Sequence, residues 1–219
     1  MTIILAASTG KEICFAYDTA ATMFFKNPYY SLHKIEPITK TSAGGVSGST
    51  WGGLNEFMTN HRHEGIDKLE LFKRIPHTMW GAATRSLYGI IENGKSHLYV
   101  NDLEAGLNGS EVQAYGIGIV SPNILKDLYS LDPGLEISLF KSELEKIAKN
   151  AIDSDEHCML YGFGSAILDQ SGLRYLTFID AQEDHYLKTG DWLRYHEGEY
   201  DRFIESVLRN FKNKVDNFS

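Results

Sequence analysis

Cysteine is scarce in this chain, at two residues among 219, which excludes the disulfide framework that holds small secreted domains together. Cys14 and Cys158 both lie in apolar surroundings, as expected of buried thiols in a reducing compartment. Neither has an identifiable base near it in sequence, so core packing is the expectation for both. Positive charge is also short. Against 29 Asp and Glu there are 21 Lys and Arg, a formal charge of −8, which leaves no electrostatic footprint for nucleic acid or an anionic membrane surface. Long apolar runs are missing as well. The run after Met1 extends only from Ile3 to Ala7, with no preceding Lys or Arg and no cleavage-site pattern, so it does not read as a signal peptide. No stretch approaches the roughly 20 apolar residues that span a bilayer. Linkers, low-complexity tracts and internal repeats are absent from the pattern. The expectation is a soluble, cytoplasmic protein with neither nucleic acid nor membrane as a partner.

What is present is enough for a core. Hydrophobic residues make up 42% of the chain, sufficient for one domain of this length. Thr2–Ala7 and Ile13–Tyr17 read as strands joined by a turn at Ser8 to Lys11, and Lys34–Ile38 and Thr41–Val46 as a second pair around Thr39-Lys40. Helical spacing marks Trp51 to Asn60, Asp67–Ile75 and Met79–Leu87. Asn93-Gly94 between Tyr88–Glu92 and Ser96–Val100 is the strongest hairpin signal, because both residues tolerate the positive φ of a type I′ turn. Val112–Gly116 follows as a strand. Next come helices over Pro122–Leu131 and Leu139–Ile152, with Ser138 as the expected N-cap of the second. Gly162–Leu168 and Leu173–Ile179 form a last pair of strands, Glu183-Asp-His185 a polar connection, and Glu199–Val215 an amphipathic tail through Tyr200, Phe203, Ile204, Val207, Leu208 and Phe211. Hairpin-linked strands with helices inserted in blocks predict an α+β fold of two antiparallel sheets with helices on both outer sides, not an alternating parallel sheet.

The chemistry concentrates at the start. A threonine behind an initiator Met becomes the N-terminal residue once Met1 is removed, as its small side chain favours. Its hydroxyl then lies beside its own α-amine, whose ordinary pKa near 7.7–8 suits a general base at neutrality. A lysine close to that amine disfavours a second positive charge there and stabilises the hydroxyl as it loses its proton; a carboxylate holds the lysine ionised and in place. Thr2, Lys34 and Asp18 supply these parts, and Gly44-Gly45 offers backbone N–H groups that can approach a reacting carbonyl.

With these residues the chain resembles the proteasome β-subunit family, including its bacterial relatives, within the N-terminal-nucleophile hydrolases. The resemblance is carried by Thr2, by Phe15-Ala-Tyr-Asp18 with Ala21-Thr22, by Lys34-Ile35 with Pro37-Ile38, and by Ala43-Gly-Gly-Val46. Weaker agreement runs through Leu98-Tyr99, Ala114 to Gly118, the helix before Asp155, and Gly172 to Leu176. The resemblance implies the four-layer αββα sandwich over a domain of residues 1–180; residues 181–219 lie beyond it and are expected to form a helical extension that packs on that domain or on a neighbouring subunit. It implies Thr2 as nucleophile, Asp18 and Lys34 as its supports, Gly44 as oxyanion donor and Asp155 as a second acid of the site. Thr22 is implied as a binder of substrate backbone and Val46 as a wall of the side-chain pocket. The implied substrate is a peptide or small amide and the implied assembly a homo-oligomer, a ring or a related form, with no cofactor and no metal. The pattern departs from the family at Ile117, where a serine normally stands between two glycines, and around Cys158, where Ser-Gly-Gly is usual.

Two readings of function follow. In one, the chain is a threonine-type peptidase or amidohydrolase that forms an acyl-enzyme on Thr2. In the other, a decayed site leaves a non-catalytic assembly or interaction subunit. A small-molecule amidase is a third and weaker reading. His61-x-His63 has no third ligand nearby and reads as a solvated loop, and the aromatic cluster Phe24-Phe25 with Tyr29-Tyr30 fits simple packing as well as it fits a substrate groove and a subunit interface taken together.

Overall fold

The computed structural model of the chain describes residues 2–22, 29–47, 85–100, 103–104, 113–118, 120–154 and 160–190. Asp155, Cys158, His61, His63, Phe24, Phe25, the helical segments expected between Trp51 and Thr84 and the tail from Glu199 lie outside these residues. Within them the fold is mixed α+β, built on two five-stranded antiparallel sheets.

The first sheet runs in the order β10 (Ala114–Gly118), β1 (Ile3–Ser8), β2 (Ile13–Tyr17), β11 (Phe163–Asp169), β12 (Gly172–Ile179). The second runs β5 (Glu36–Thr39), β6 (Ser42–Ser47), β7 (Arg85–Glu92), β8 (Lys95–Val100), β9 (Leu103–Glu104). A separate ribbon pairs β3 (Ala20–Thr22) with β4 (Tyr29–Ser31). The β7–β8 turn is the one its sequence calls for, since Asn93 and Gly94 both have positive φ, at 51° and 76°.

Every residue of β1 and β2 is buried, because these two inner strands of the first sheet are covered on both faces. Strand alternation sorts the side chains. Ile3, Leu5, Ala7, Cys14 and Ala16 join Phe140, Leu144, Ala148, Ala151 and Ile152 of helix α2 (Ile137–Asp153) and Leu128 of helix α1 (Pro122–Tyr129). Ile4, Ala6, Ile13, Phe15 and Tyr17 face the second sheet and pack with Ala43, Leu87, Ile91, Leu98 and Val100. The hairpin that opens the chain is therefore the central slab of the molecule.

Several local expectations are corrected. Backbone N–H groups of Leu139 and Phe140 donate to the Glu136 carbonyl, so α2 begins at Ile137 and Ser138 lies inside its first turn; the N-cap is Glu136, with no side-chain hydrogen bond. Helix α1 ends at Tyr129, before Leu131. Arg85 to Leu87, expected at the end of a helix, are strand, because their backbones pair with Ser47, Val46 and Gly45 of β6. Lys34 and Ile35 precede β5, and β10 reaches to Gly118. Residues around Glu183 are not a connection but helix α3 (Ala181–Thr189). Asp180 caps it by accepting from the N–H groups of Gln182 and Glu183, and Gly190 closes it in the left-handed conformation. Ala181 at its start is buried with Ala20 and Tyr161, and Asp184 accepts from the Gly162 N–H at 2.9 Å, so α3 is anchored on the domain that precedes it.

Candidate active site at Thr2

The site forms where β1 starts and β2 ends. Antiparallel pairing of these strands sets Asp18, just past Tyr17, beside Ile3: the Asp18 N–H donates to the Ile3 carbonyl at 3.3 Å, and the Ile3 N–H returns a bond to Asp18 Oδ1 at 2.8 Å. The second carboxylate oxygen, Oδ2, accepts from Lys34 Nζ at 2.6 Å, and the same ammonium donates to Thr2 Oγ1 at 3.1 Å. Thr2, Lys34 and Asp18, separated along the chain, thus form one hydrogen-bonded line.

That line is dry at its inner end. Lys34 is 2% exposed and Asp18 fully buried. Burial pulls the Lys34 ammonium below the ordinary lysine value, opposed by the charge and hydrogen bond of Asp18. Burial likewise pushes Asp18 above the usual carboxylate value, opposed first by Lys34 and then by the Ile3 N–H. Each charge is tolerated because the other is present. An ammonium held less firmly charged than usual, against a hydroxyl oxygen, suits the task of stabilising that oxygen as it loses a proton.

Two glycines hold backbones against this line. A Cβ on Gly45 would lie 2.2 Å from the Lys34 carbonyl oxygen and 2.9 Å from Ile4 Cδ1, so β6 can approach only without a side chain there. Gly118 has φ +94°, and a Cβ on it would lie 1.8 Å from the Thr2 carbonyl oxygen. Gly118 is absent from the expected site residues. The available signal is its place at the end of an apolar strand, where glycine marks a close backbone approach.

The other expected residues fall as follows. Gly44 lies in β6, opposite Glu36 of β5 and Tyr88 of β7. Val46 is buried in the same strand; because Ala43 and Gly45 face the first sheet, alternation puts its side chain on the other face of the second sheet. Thr22 ends β3, opposite Tyr29. Ile117 is fully buried, opposite Ile4, and belongs to the core between the sheets. Cys14 is buried against the helices, and that burial pushes its thiol up to about 12, far from nucleophilic at neutrality. Among the described residues no group of three or more His, Cys, Asp and Glu is placed to hold a metal ion, and no helix is long and apolar enough to cross a membrane. No family model matches the chain, and no curated protein matches it.

Proposed function

We propose that the chain is an N-terminal-threonine hydrolase on the four-layer αββα sandwich of the proteasome-like proteins, cleaving a peptide or amide bond once Met1 is removed. The observation that carries the reading is the buried line from Asp18 through Lys34 to Thr2, with Nζ 2.6 Å from the carboxylate and 3.1 Å from the threonine oxygen. A surface ion pair has no need of such enclosure, whereas a lysine that must act on one hydroxyl does.

In this reading Thr2 Oγ1 attacks the substrate carbonyl carbon while its proton passes to the freed α-amine. The carbonyl oxygen takes up negative charge and is met by the Gly44 N–H. Collapse of that intermediate expels the amine product, which takes the proton, and leaves an ester on Thr2; water then hydrolyses the ester and restores the hydroxyl. Lys34 stabilises the oxygen through both steps, Asp18 holds Lys34, and Asp155 is the second acid. Thr22 receives substrate backbone by strand addition, whereas Val46, on the far face of the second sheet, is left to the core instead of the pocket that the resemblance implied for it. The working form is a homo-oligomer.

The test is covalent. Protein of confirmed intact mass, with Met1 removed, is treated with a β-lactone or epoxyketone probe and digested. An adduct on Thr2 that is lost in Thr2→Ala is the expected result; native protein that retains Met1, or the absence of any adduct on Thr2, defeats the proposal. One observation favours the second reading, a non-catalytic assembly subunit: Ile117 fills with hydrocarbon the position at which the family carries a serine. That reading expects a defined oligomer by mass photometry and no adduct.

A further inference from the structure

Lys34 lies in a bend before β5, outside any strand, so no ladder fixes the backbone that carries the ammonium. Strand β12 does so instead. The Tyr175 hydroxyl donates to the Ile35 carbonyl at 2.8 Å, on the C-terminal side of Lys34. The Tyr175 ring stacks on His33, on the N-terminal side, with centroids 3.9 Å apart and planes 26° apart. One side chain thus grips both neighbours of Lys34.

His33 is held from two further directions. Its Nδ1 is 2.7 Å from the hydroxyl of Tyr17, the residue before Asp18, and Phe178 of β12 tilts against it at 4.6 Å. The Asp18 and Lys34 backbones are therefore tied twice, by the ion pair and by the Tyr17–His33 bond next to it. Tyr175 reaches this bracket through the register shift between Ser165 and Ala166, after which β12 resumes its pairing with β11. Tyr175 itself is 42% exposed, so burial alone does not account for a ring and hydroxyl both spent on the segment from 33 to 35. The groups facing the bracket are Tyr17 from β2, Tyr175 and Phe178 from β12, and Glu36, whose charge acts on both tyrosines.

We propose that Tyr175, through its stack on His33 and its hydrogen bond to Ile35, is a positioning residue that holds the Lys34 ammonium between Asp18 and Thr2. The consequence for catalysis rests on the threonine-hydrolase reading; the positioning of the ammonium does not. A 2.6 Å and a 3.1 Å contact made by one flexible four-carbon side chain require a fixed Cα, and the bracket provides it.

The experiment uses the full chain labelled with nitrogen-15 lysine, with the Lys34 ammonium resonance assigned by its loss in Lys34→Arg. Tyr175→Phe keeps the ring and drops the hydrogen bond, Phe178→Leu loosens the stack, and Leu176→Ser on the same strand serves as control. Tyr175→Phe is expected to speed solvent exchange of the Lys34 ammonium roughly tenfold, the scale of one lost hydrogen bond. Phe178→Leu should act in the same direction, and Leu176→Ser should change nothing. The same variants are then scored for the rate of β-lactone adduct formation on Thr2, where Tyr175→Phe should reduce the rate about tenfold at unchanged probe affinity. Unaltered Lys34 exchange in Tyr175→Phe overturns the proposal, even if the variant melts earlier, because the role is then structural only. Faster exchange without any wild-type adduct leaves the bracket standing and removes the hydrolase reading.

Discussion

Lys34 and Lys188 each bond to a carboxylate at nearly the same distance, 2.6 Å to Asp18 and 2.7 Å to Asp153, and respond in opposite directions. Burial pulls Lys34 below its ordinary value. Partial burial also pulls on Lys188, but at 40% exposure its hydrogen bonds to Asp153 and Asp184, with their charges, together outweigh that pull and carry it above the ordinary value. The bond lengths do not decide this; water does. A buried pair tunes a group away from its resting charge, whereas an exposed pair only reinforces that charge. The contrast separates the site at the start of β1 from the decoration on α3.

The largest expected effect breaks the buried pair. Lys34→Met leaves the Asp18 carboxylate enclosed and unpaired, and is expected to cost about 3–5 kcal/mol in urea unfolding. Adding Asp18→Leu should recover most of that loss, since replacing a buried ion pair by hydrocarbon is often neutral or better. Neither variant should form an adduct on Thr2. If Lys34→Met proves as mild as an exposed pair, at roughly 1 kcal/mol or less, the contrast fails.

Gly45→Ala probes the same region through its backbone. Its Cβ would meet the Lys34 carbonyl oxygen, a main-chain atom with little freedom to move, as well as Ile4. The cost is expected at about 1–3 kcal/mol, as for other overpacked sites, with the Lys34 ammonium resonance displaced. A variant as stable as wild type, with that resonance unmoved, would mean that β6 does not seat the lysine.

How far this was legible from sequence follows from which forces are local. The β1–β2 and β7–β8 hairpins and the apolar stripe of α2 could be read, because turn residues and periodicity act over a few residues. The candidate triad could be assembled on resemblance, with Asp18 and Lys34 at positions that the fold brings to Thr2. The start of the expected helical extension at α3 reads locally as a polar connection around Glu183, although Asp180, Glu183 and Gly190 are cap signals; the helix buries only Ala181, so no apolar stripe marks it. The Tyr175 grip was not readable at all. It depends on β12 meeting the 33–35 segment across 140 residues of chain, and on a register shift that sequence alternation cannot announce.

The smallest effect completes the comparison. Lys188→Met removes both exposed contacts and is expected to cost at most about 1 kcal/mol, less as salt is added. Its pH dependence carries the sign. A lysine whose folded value is raised binds its proton more tightly when folded, so its contribution is complete below the ordinary lysine value and is lost as pH climbs through the folded one. The gap between wild type and Lys188→Met should therefore close on the alkaline side. Lys34 is shifted the other way: the unfolded chain holds that proton more tightly, so its contribution to stability rises between its lowered folded value and the ordinary one. Removing Lys188 should leave this rising component easier to see in urea midpoints taken across the alkaline range, whereas a wild-type gap that persists there would show that Lys188 acts through packing of its methylene stem.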